Sequence, residues 1–371
     1  MEDQKVTKKT YNVIDLFSGC GGFSFGFEQA GYKILLGVDI WQEALKTFKK
    51  NHKDSKVLEA DLSLLPTEKI LNKCNVSKQD IDVIIGGPPC QGFSLSGFRQ
   101  EDDPRNQLYK SFVRVVKDIQ PKAFVMENVP GLVKLFKGKA KDEIISHFES
   151  IGYNVTYKIL MASEYGVPQN RKRVFFVGLK KGIFDFPDDV FQFPEPTNGA
   201  GRLPLLTCKN ALSDLPLLEN GEEVIEYISS PQNDYQKLMR GKSTSIHNHI
   251  PTIHKKQTVD IISLVPDGGN YKDLPKELQE TRKVNIAWTR MNSNKPSFTI
   301  DTGHNHHFHY IANRVPTVRE SARIQSFPDE FIFEGSKTNQ LKQVGNAVPP
   351  LLGRVIAEKL KDTLNMIDKK N

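Results

Sequence analysis

Cys90 stands in the run Gly86-Gly87-Pro88-Pro89-Cys90-Gln91-Gly92-Phe93-Ser94, directly after the apolar stretch Ile81 to Ile85. Prolines fix φ and glycines permit backbone angles closed to other residues, so the turn aims a thiol more tightly than packing requires. Two further segments carry reactive groups. Glu127-Asn128 follow the apolar run Ala123 to Met126, and Gln169-Asn170-Arg171-Lys172-Arg173 precede Val174 to Val177, where alternation puts Arg171 and Arg173 on one face. A thiol, a carboxyl group and guanidinium cations at the ends of neighbouring strands suit nucleophilic attack with acid assistance. The cation matters because a free thiol with a pKa of about 8.5 is only a few per cent ionised near neutrality.

These residues need a scaffold that gathers strand ends. Val13 to Phe17, Ile34 to Val38, Ile81 to Ile85, Ala123 to Met126 and Val174 to Val177 read as apolar strands separated by helical patterns. This alternation predicts an α/β fold, a doubly wound and mostly parallel sheet that binds ligands beyond its carboxyl ends. The turn Phe17-Ser18-Gly19-Cys20-Gly21-Gly22 follows the first strand and opens a helix, where glycines let backbone amides approach an anionic ligand. Asp39 ends the second strand, at the position where nucleotide-binding sheets hold ribose hydroxyls, and Trp41 follows with a face suited to adenine. Asp61 ends the segment Val57 to Asp61. These features point to an adenosine-type cofactor, with NAD and S-adenosylmethionine both compatible.

The chain has 371 residues, 38% hydrophobic and 26% charged, and carries a net charge of +7. No run of eighteen apolar residues is present, and MEDQKVTKKT lacks the apolar core of a secretory signal, so a cytoplasmic protein without a membrane span is expected. Its four cysteines (Cys20, Cys74, Cys90, Cys208) form no CxxC pair, which points away from a zinc site or a disulfide framework. His304, His306, His307 and His309 match no familiar zinc spacing, so no metal is expected. Prolines become frequent after about residue 185, and the strand–helix rhythm fades. Three regions follow: 1–195 catalytic and cofactor-binding, 196–315 a smaller domain, and 316–371 a hinge and return to the first domain.

The ordered segments DLFSGCGGFSFGFEQAG (15–31), GGPPCQGFS (86–94), RNQLY (105–109), MENVP (126–130), YGVPQNRKRVFFVG (165–178), RVPTVRESARIQSFPD (314–329) and QVGNAVPP (343–350) span nearly the whole chain. The series resembles the bacterial DNA (cytosine-5) methyltransferases of restriction–modification systems. The resemblance implies a methyltransferase of the S-adenosylmethionine-dependent, Rossmann-like type with a smaller target-recognition domain. It implies that Cys90 adds to carbon 6 of a cytosine flipped out of duplex DNA, so that carbon 5 can take the methyl group. By the same resemblance Glu127 would relieve the charge at ring nitrogen 3, and Arg173 and Arg171 would supply cations. Phe17, Gly19, Gly21, Asp39, Trp41, Asp61, Pro88, Leu108, Asn346 and Ala347 would hold the cofactor. Ala347 stands where many relatives have serine, and a side-chain hydrogen bond is not available there.

Residues 235–259 carry Lys237, Arg240, Lys242, Lys255 and Lys256 with no acidic residue, and 281–300 carry Arg282, Lys283, Arg290 and Lys295. Such stretches suit a phosphate backbone. Arg240, Lys242 and Arg290 are therefore expected to contact DNA, and the resemblance adds Thr299, since Lys295 to Ile300 is similar to the short Thr-plus-aliphatic element of the family's target-recognition region. Ser94, Gly97 and Arg99 are expected to do so from a loop, 94–105, that closes over the flipped base. The expected partners are double-stranded DNA, bound by a monomer near the nucleoid, and a functionally paired restriction endonuclease. The rival readings are an RNA cytosine methyltransferase on the same scaffold, a catalytically silent DNA-binding regulator and an NAD-dependent oxidoreductase. The last leaves the PPCQ and ENV segments unexplained.

Overall fold

Val83, Ile84 and Ile85 are all fully buried, as expected of a strand covered on both faces. A computed structural model describes residues 9–89, 108–183, 190–218, 221, 224–279, 288–302 and 307–368. Cys90, Ser94, Gly97, Arg99 and the 94–105 loop lie outside the described residues. The chain divides into two units, one formed by 1–160, 172–195 and 353–371, the other by 161–171 and 196–352.

In the first unit the strands are β1 (Asn12–Leu16), β2 (Lys33–Asp39), β3 (Lys56–Glu59), β4 (Val83–Gly86), β5 (Ala123–Asn128), β6 (Tyr153–Met161) and, after the short β7 (Gln169–Asn170) of the second unit, β8 (Lys172–Lys180). They form one sheet in the order β3-β2-β1-β4-β5-β8-β6. Pairing from β3 to β5 is parallel, and β8 runs antiparallel to β5. Leu16 lies opposite both Val38 and Gly86, and Gly86 opposite Met126. The carboxyl ends of β2, β1, β4 and β5 therefore finish at one level, which brings the glycine turn, Asp39, Gly87-Pro88-Pro89 and Glu127 to a single rim. Gly86 permits this approach, because a Cβ there would lie 2.1 Å from the Leu16 carbonyl oxygen.

The helices of this unit are α1 (Gly22–Gln29), α2 (Gln42–Asn51), α3 (Thr67–Cys74), α4 (Leu108–Ile119), α5 (Gly131–Lys134) and α6 (Lys139–Ser150). Phe112 and Phe148 from α4 and α6 pack on Phe124 of β5, the latter stacked at 3.9 Å. Residues 353–371 return to this unit. Tyr32 donates to the Ala357 carbonyl at 3.0 Å, and Lys361 Nζ caps the end of α1 through the carbonyls of Ala30 and Gly31.

The second unit contains α7 (Cys208–Leu212), α8 (Asp234–Arg240), α9 (Lys256–Ser263), α10 (Lys276–Gln279), α11 (Val318–Ile324), α12 (Lys337–Asn346) and the first residues of α13 (Pro350–Asp368). Its strands are short: β7 pairs in parallel with β10 (Ser297–Phe298), and β9 (Thr289–Arg290) with β11 (His307–Phe308). Ile262, Val265, Leu274, Trp288, Phe308 and Val315 form a local core. Every residue of α11 is buried, Arg319, Glu320 and Arg323 included. Buried charges need partners, and Arg323 meets Asp329 at 2.6 Å and Asp214 at 3.2 Å. Arg314 holds Glu320 in a bidentate pair at 2.8 Å. These links tie 316–352 into the second unit, whereas the expected C-terminal return to the first unit is limited to residues 353–371.

Candidate active site

The glycine turn is built around Asp39. One carboxylate oxygen accepts from the Gly19 amide and the other from the Trp41 amide, both at 2.8 Å. Burial raises the Asp39 pKa above the usual aspartate value, partly offset by these amide donors. Phe17 and Gly19 both take positive φ, 59° and 53°, a conformation unusual for phenylalanine and typical of strained functional turns. Among the described residues nothing lies within 4 Å of the position a Gly19 Cβ would occupy, so the turn is open to them on that side. Ser18 is 8% exposed, and its hydroxyl has no hydrogen-bond partner among the described residues. Asp15, beneath the turn, accepts from the Ser24 hydroxyl at 2.6 Å, and burial pushes its pKa up to about 8. Trp41 is half-buried, and Asp61 accepts from the amide and hydroxyl of Ser63.

At the same rim, Glu127 Oε1 lies 2.8 Å from Arg173 Nε, and the two side chains are 11% and 14% exposed. Burial lowers the Arg173 pKa, and the neighbouring Glu127 carboxylate partly offsets that. Asn128 donates to the Pro88 carbonyl at 2.9 Å and accepts from the Val129 amide, so it fixes the turn that leads into Cys90. Glu127 sits close beneath that turn: a Cβ on Gly87 would lie 2.9 Å from its Oε2. Half-buried Leu108 opens α4.

The remaining expected site residues belong to the second unit. Arg171 is fully buried and donates to the carbonyls of Ile300 and Gly345 at 3.2 and 2.8 Å. Both carbonyls belong to the second unit. Asn346 ends α12 exposed, and the Ala347 carbonyl accepts from Gln325. Lys242 is exposed, and the Thr299 hydroxyl donates to the Asn170 carbonyl at 3.1 Å. Arg240 pairs with Asp214 at 2.7 Å and lies over the Tyr227 ring. Arg290 departs from expectation. It is 4% exposed and donates to five backbone carbonyls, those of Ile262, Val265, His309, Ile311 and Ala312, and to Asn313. Its guanidinium braces the second unit from within.

The family model described as C-5 cytosine-specific DNA methylase matches residues 11–362. The chain belongs to this family. Among curated relatives, type II methyltransferase M.DdeI of Desulfomicrobium norvegicum is 40% identical over 97% of this chain and 91% of its own. Type II methyltransferase M1.HphI of Haemophilus parahaemolyticus is 42% identical over 93% and 85%. Among solved structures, a chain described as a DNA modification methyltransferase encoded within an E. coli prophage is 32% identical with a TM-score of 0.77, covering 96% of this chain and 100% of its own. Spodoptera frugiperda DNMT2, 15% identical over 97% of this chain with a TM-score of 0.57, shares the fold.

This C-5 cytosine methylase is thus a DNA (cytosine-5) methyltransferase of the type II restriction–modification kind, and the family implies S-adenosylmethionine as methyl donor. The residues fit such a group. The open Gly19 side, the buried Ser18 hydroxyl and the buried Asp39 carboxylate offer a donor, an acceptor and room at one turn. Ser18 was not among the residues expected from sequence. Its signal was faint, a hydroxyl between Phe17 and Gly19, and only its burial without a partner gives it weight. No helix among the described residues is long and apolar enough to cross a membrane.

Proposed function

We propose that this methylase modifies carbon 5 of a cytosine flipped out of duplex DNA, with Cys90 as the nucleophile. The observation that carries this is the buried Glu127–Arg173 pair beneath the Gly87-Pro88-Pro89 turn. The other thiols also support it: burial pushes Cys20 and Cys208 up to about 12 and Cys74 up to about 11, so all three stay neutral near pH 7. Only the thiolate is nucleophilic.

Phe17, Ser18, Gly19, Gly21, Asp39, Trp41, Asp61, Pro88 and Leu108 would hold S-adenosylmethionine, with Asn346 and Ala347 as further contacts. When bound, it supplies an electrophilic methyl group. Addition of the Cys90 sulfur to carbon 6 makes carbon 5 nucleophilic and places negative charge on the ring. Glu127 relieves that charge by a proton or hydrogen bond at nitrogen 3, and Arg173 keeps the carboxyl group in position. Loss of the carbon 5 proton to a base then lets the thiolate leave. Flipping costs a few kcal/mol, offset by pocket contacts. Residues 196–315 read the target, with Lys242, Arg240 and Thr299 as candidate contacts, joined by Ser94, Gly97 and Arg99. A monomer acting beside the nucleoid would protect DNA from a paired endonuclease.

DNA carrying 5-fluorocytosine blocks the final proton loss and traps the adduct. A crosslink mapped to Cys90 is expected; turnover-competent protein that gives none refutes the mechanism. Methyl transfer to duplex DNA rather than tRNA separates this reading from an RNA methyltransferase.

A further inference from the structure

Gly21 closes the glycine turn and caps α1 in the left-handed region, with φ 92°. Its amide donates to the Ser18 carbonyl at 3.0 Å, and its own carbonyl accepts from Phe25 at 2.8 Å. The space where a side chain would sit is taken by His52: a Gly21 Cβ would lie 2.3 Å from its Nε2. His52 directly follows α2, and its side chain is 0% exposed. Nδ1 lies 2.7 Å from Glu28 Oε2 on α1, and Nε2 lies 3.2 Å from the Gly21 carbonyl oxygen. Phe48 packs on the ring with centroids 4.3 Å apart. A polar ring is thus buried between the turn and two helices, and its two nitrogens meet the Gly21 carbonyl of that turn and Glu28 near the far end of α1.

A plain packing role would be served by an apolar ring of the same size. Burying an imidazole is unfavourable unless its nitrogens are engaged, and here one of the two contacts goes to the backbone of the turn itself. We propose that His52, oriented by Glu28, is a positioning residue for S-adenosylmethionine, holding the Gly21 carbonyl so that the turn keeps the shape that receives the cofactor. This rests on the reading that the Phe17–Gly21 turn binds S-adenosylmethionine.

The test measures S-adenosylmethionine binding to the full chain by calorimetry, alongside Tm and steady-state kinetics, for wild type, H52F, H52Q, E28Q and D39A. H52F fills the ring space but loses both polar contacts, so its Kd should rise about tenfold, equivalent to about 1.4 kcal/mol. KM for the cofactor should rise with it, while kcat at saturation and KM for DNA stay near wild type. H52Q, whose amide nitrogen reaches the distance of Nε2, should recover most of the affinity, and E28Q should fall between. A purely structural role would lower Tm and the active fraction without changing the Kd of folded protein, and that result overturns the proposal. Wild-type affinity in H52F with lost affinity in D39A also overturns it, while leaving the turn reading intact. If D39A and H52F both bind like wild type, the turn reading itself fails and takes the proposal with it.

Discussion

Removing either partner of the Glu127–Arg173 pair should disturb both stability and catalysis, by different amounts. At 2.8 Å, the gross attraction is about 6 kcal/mol for an effective dielectric of about 20. Desolvation cancels much of this in the intact pair, but deleting one partner strands the other charge at a cost of about 3–5 kcal/mol. For a unit of this size, about 3 kcal/mol corresponds to a Tm loss of roughly 6–12 °C. E127Q and R173M should each show it, whereas the double variant, with no stranded charge, should lose less than the sum, giving a coupling energy of about 2–3 kcal/mol. Methyl transfer from labelled S-adenosylmethionine to duplex DNA should separately fall about 10²–10⁴-fold in E127Q, the usual range for a lost general acid. Single variants that each shift Tm by less than about 2 °C and add in the double would refute the claim of a buried, coupled pair. Full methyl transfer by E127Q would refute its chemical role.

Arg290→Met should unfold the second unit by about 3 kcal/mol or more, since several buried carbonyls lose their donors; the salt slope of DNA binding at temperatures where it stays folded should not change. Lys242→Ala, an exposed site, should leave Tm unchanged and reduce that slope by about one. G86A should destabilise the sheet by about 3 kcal/mol in thermal melts, because its Cβ would press on the Leu16 carbonyl. His309 Nδ1 accepts two backbone amides, and burial lowers its pKa to about 4. The unfolded chain therefore takes up a proton, near pH 6.5, that the folded chain refuses until about pH 4. Its contribution to stability is complete above pH 6.5 and lost as pH falls toward 4. Wild type should thus lose Tm relative to H309F across that window, and a constant difference would contradict it.

The sheet and its rim were legible because their signals are local. Strands such as Val83 to Ile85 are apolar throughout, and glycine and proline mark where they end, so the placement of Asp39, Pro88 and Glu127 followed from strand order. Long-range pairing carried no such signal. The acid-free setting of Arg290 reads as a surface for phosphate, yet its carbonyl partners lie up to 28 residues away. Arg171 and Arg173 alternate as a strand would, but β7 ends at Asn170 and β8 begins at Lys172, so Arg171 falls in the break between the two strands. The ion pairs of α11 depend on Asp214, more than a hundred residues distant. Ser18 could not be told from an ordinary turn serine until its surroundings were known.

The return of residues 353–371 to the first unit bears on how the chain matures at the ribosome. Tyr11 and Tyr32 find partners at Asn365 and Ala357, separated from them by 354 and 325 positions. The amino-terminal sheet must therefore wait for most of the polypeptide to emerge, about 10–35 s after residue 195 at about 5–20 residues per second. During that interval the nascent methylase lacks the helix that completes its first unit, so activity would follow only once residues 353–368 have been made and packed.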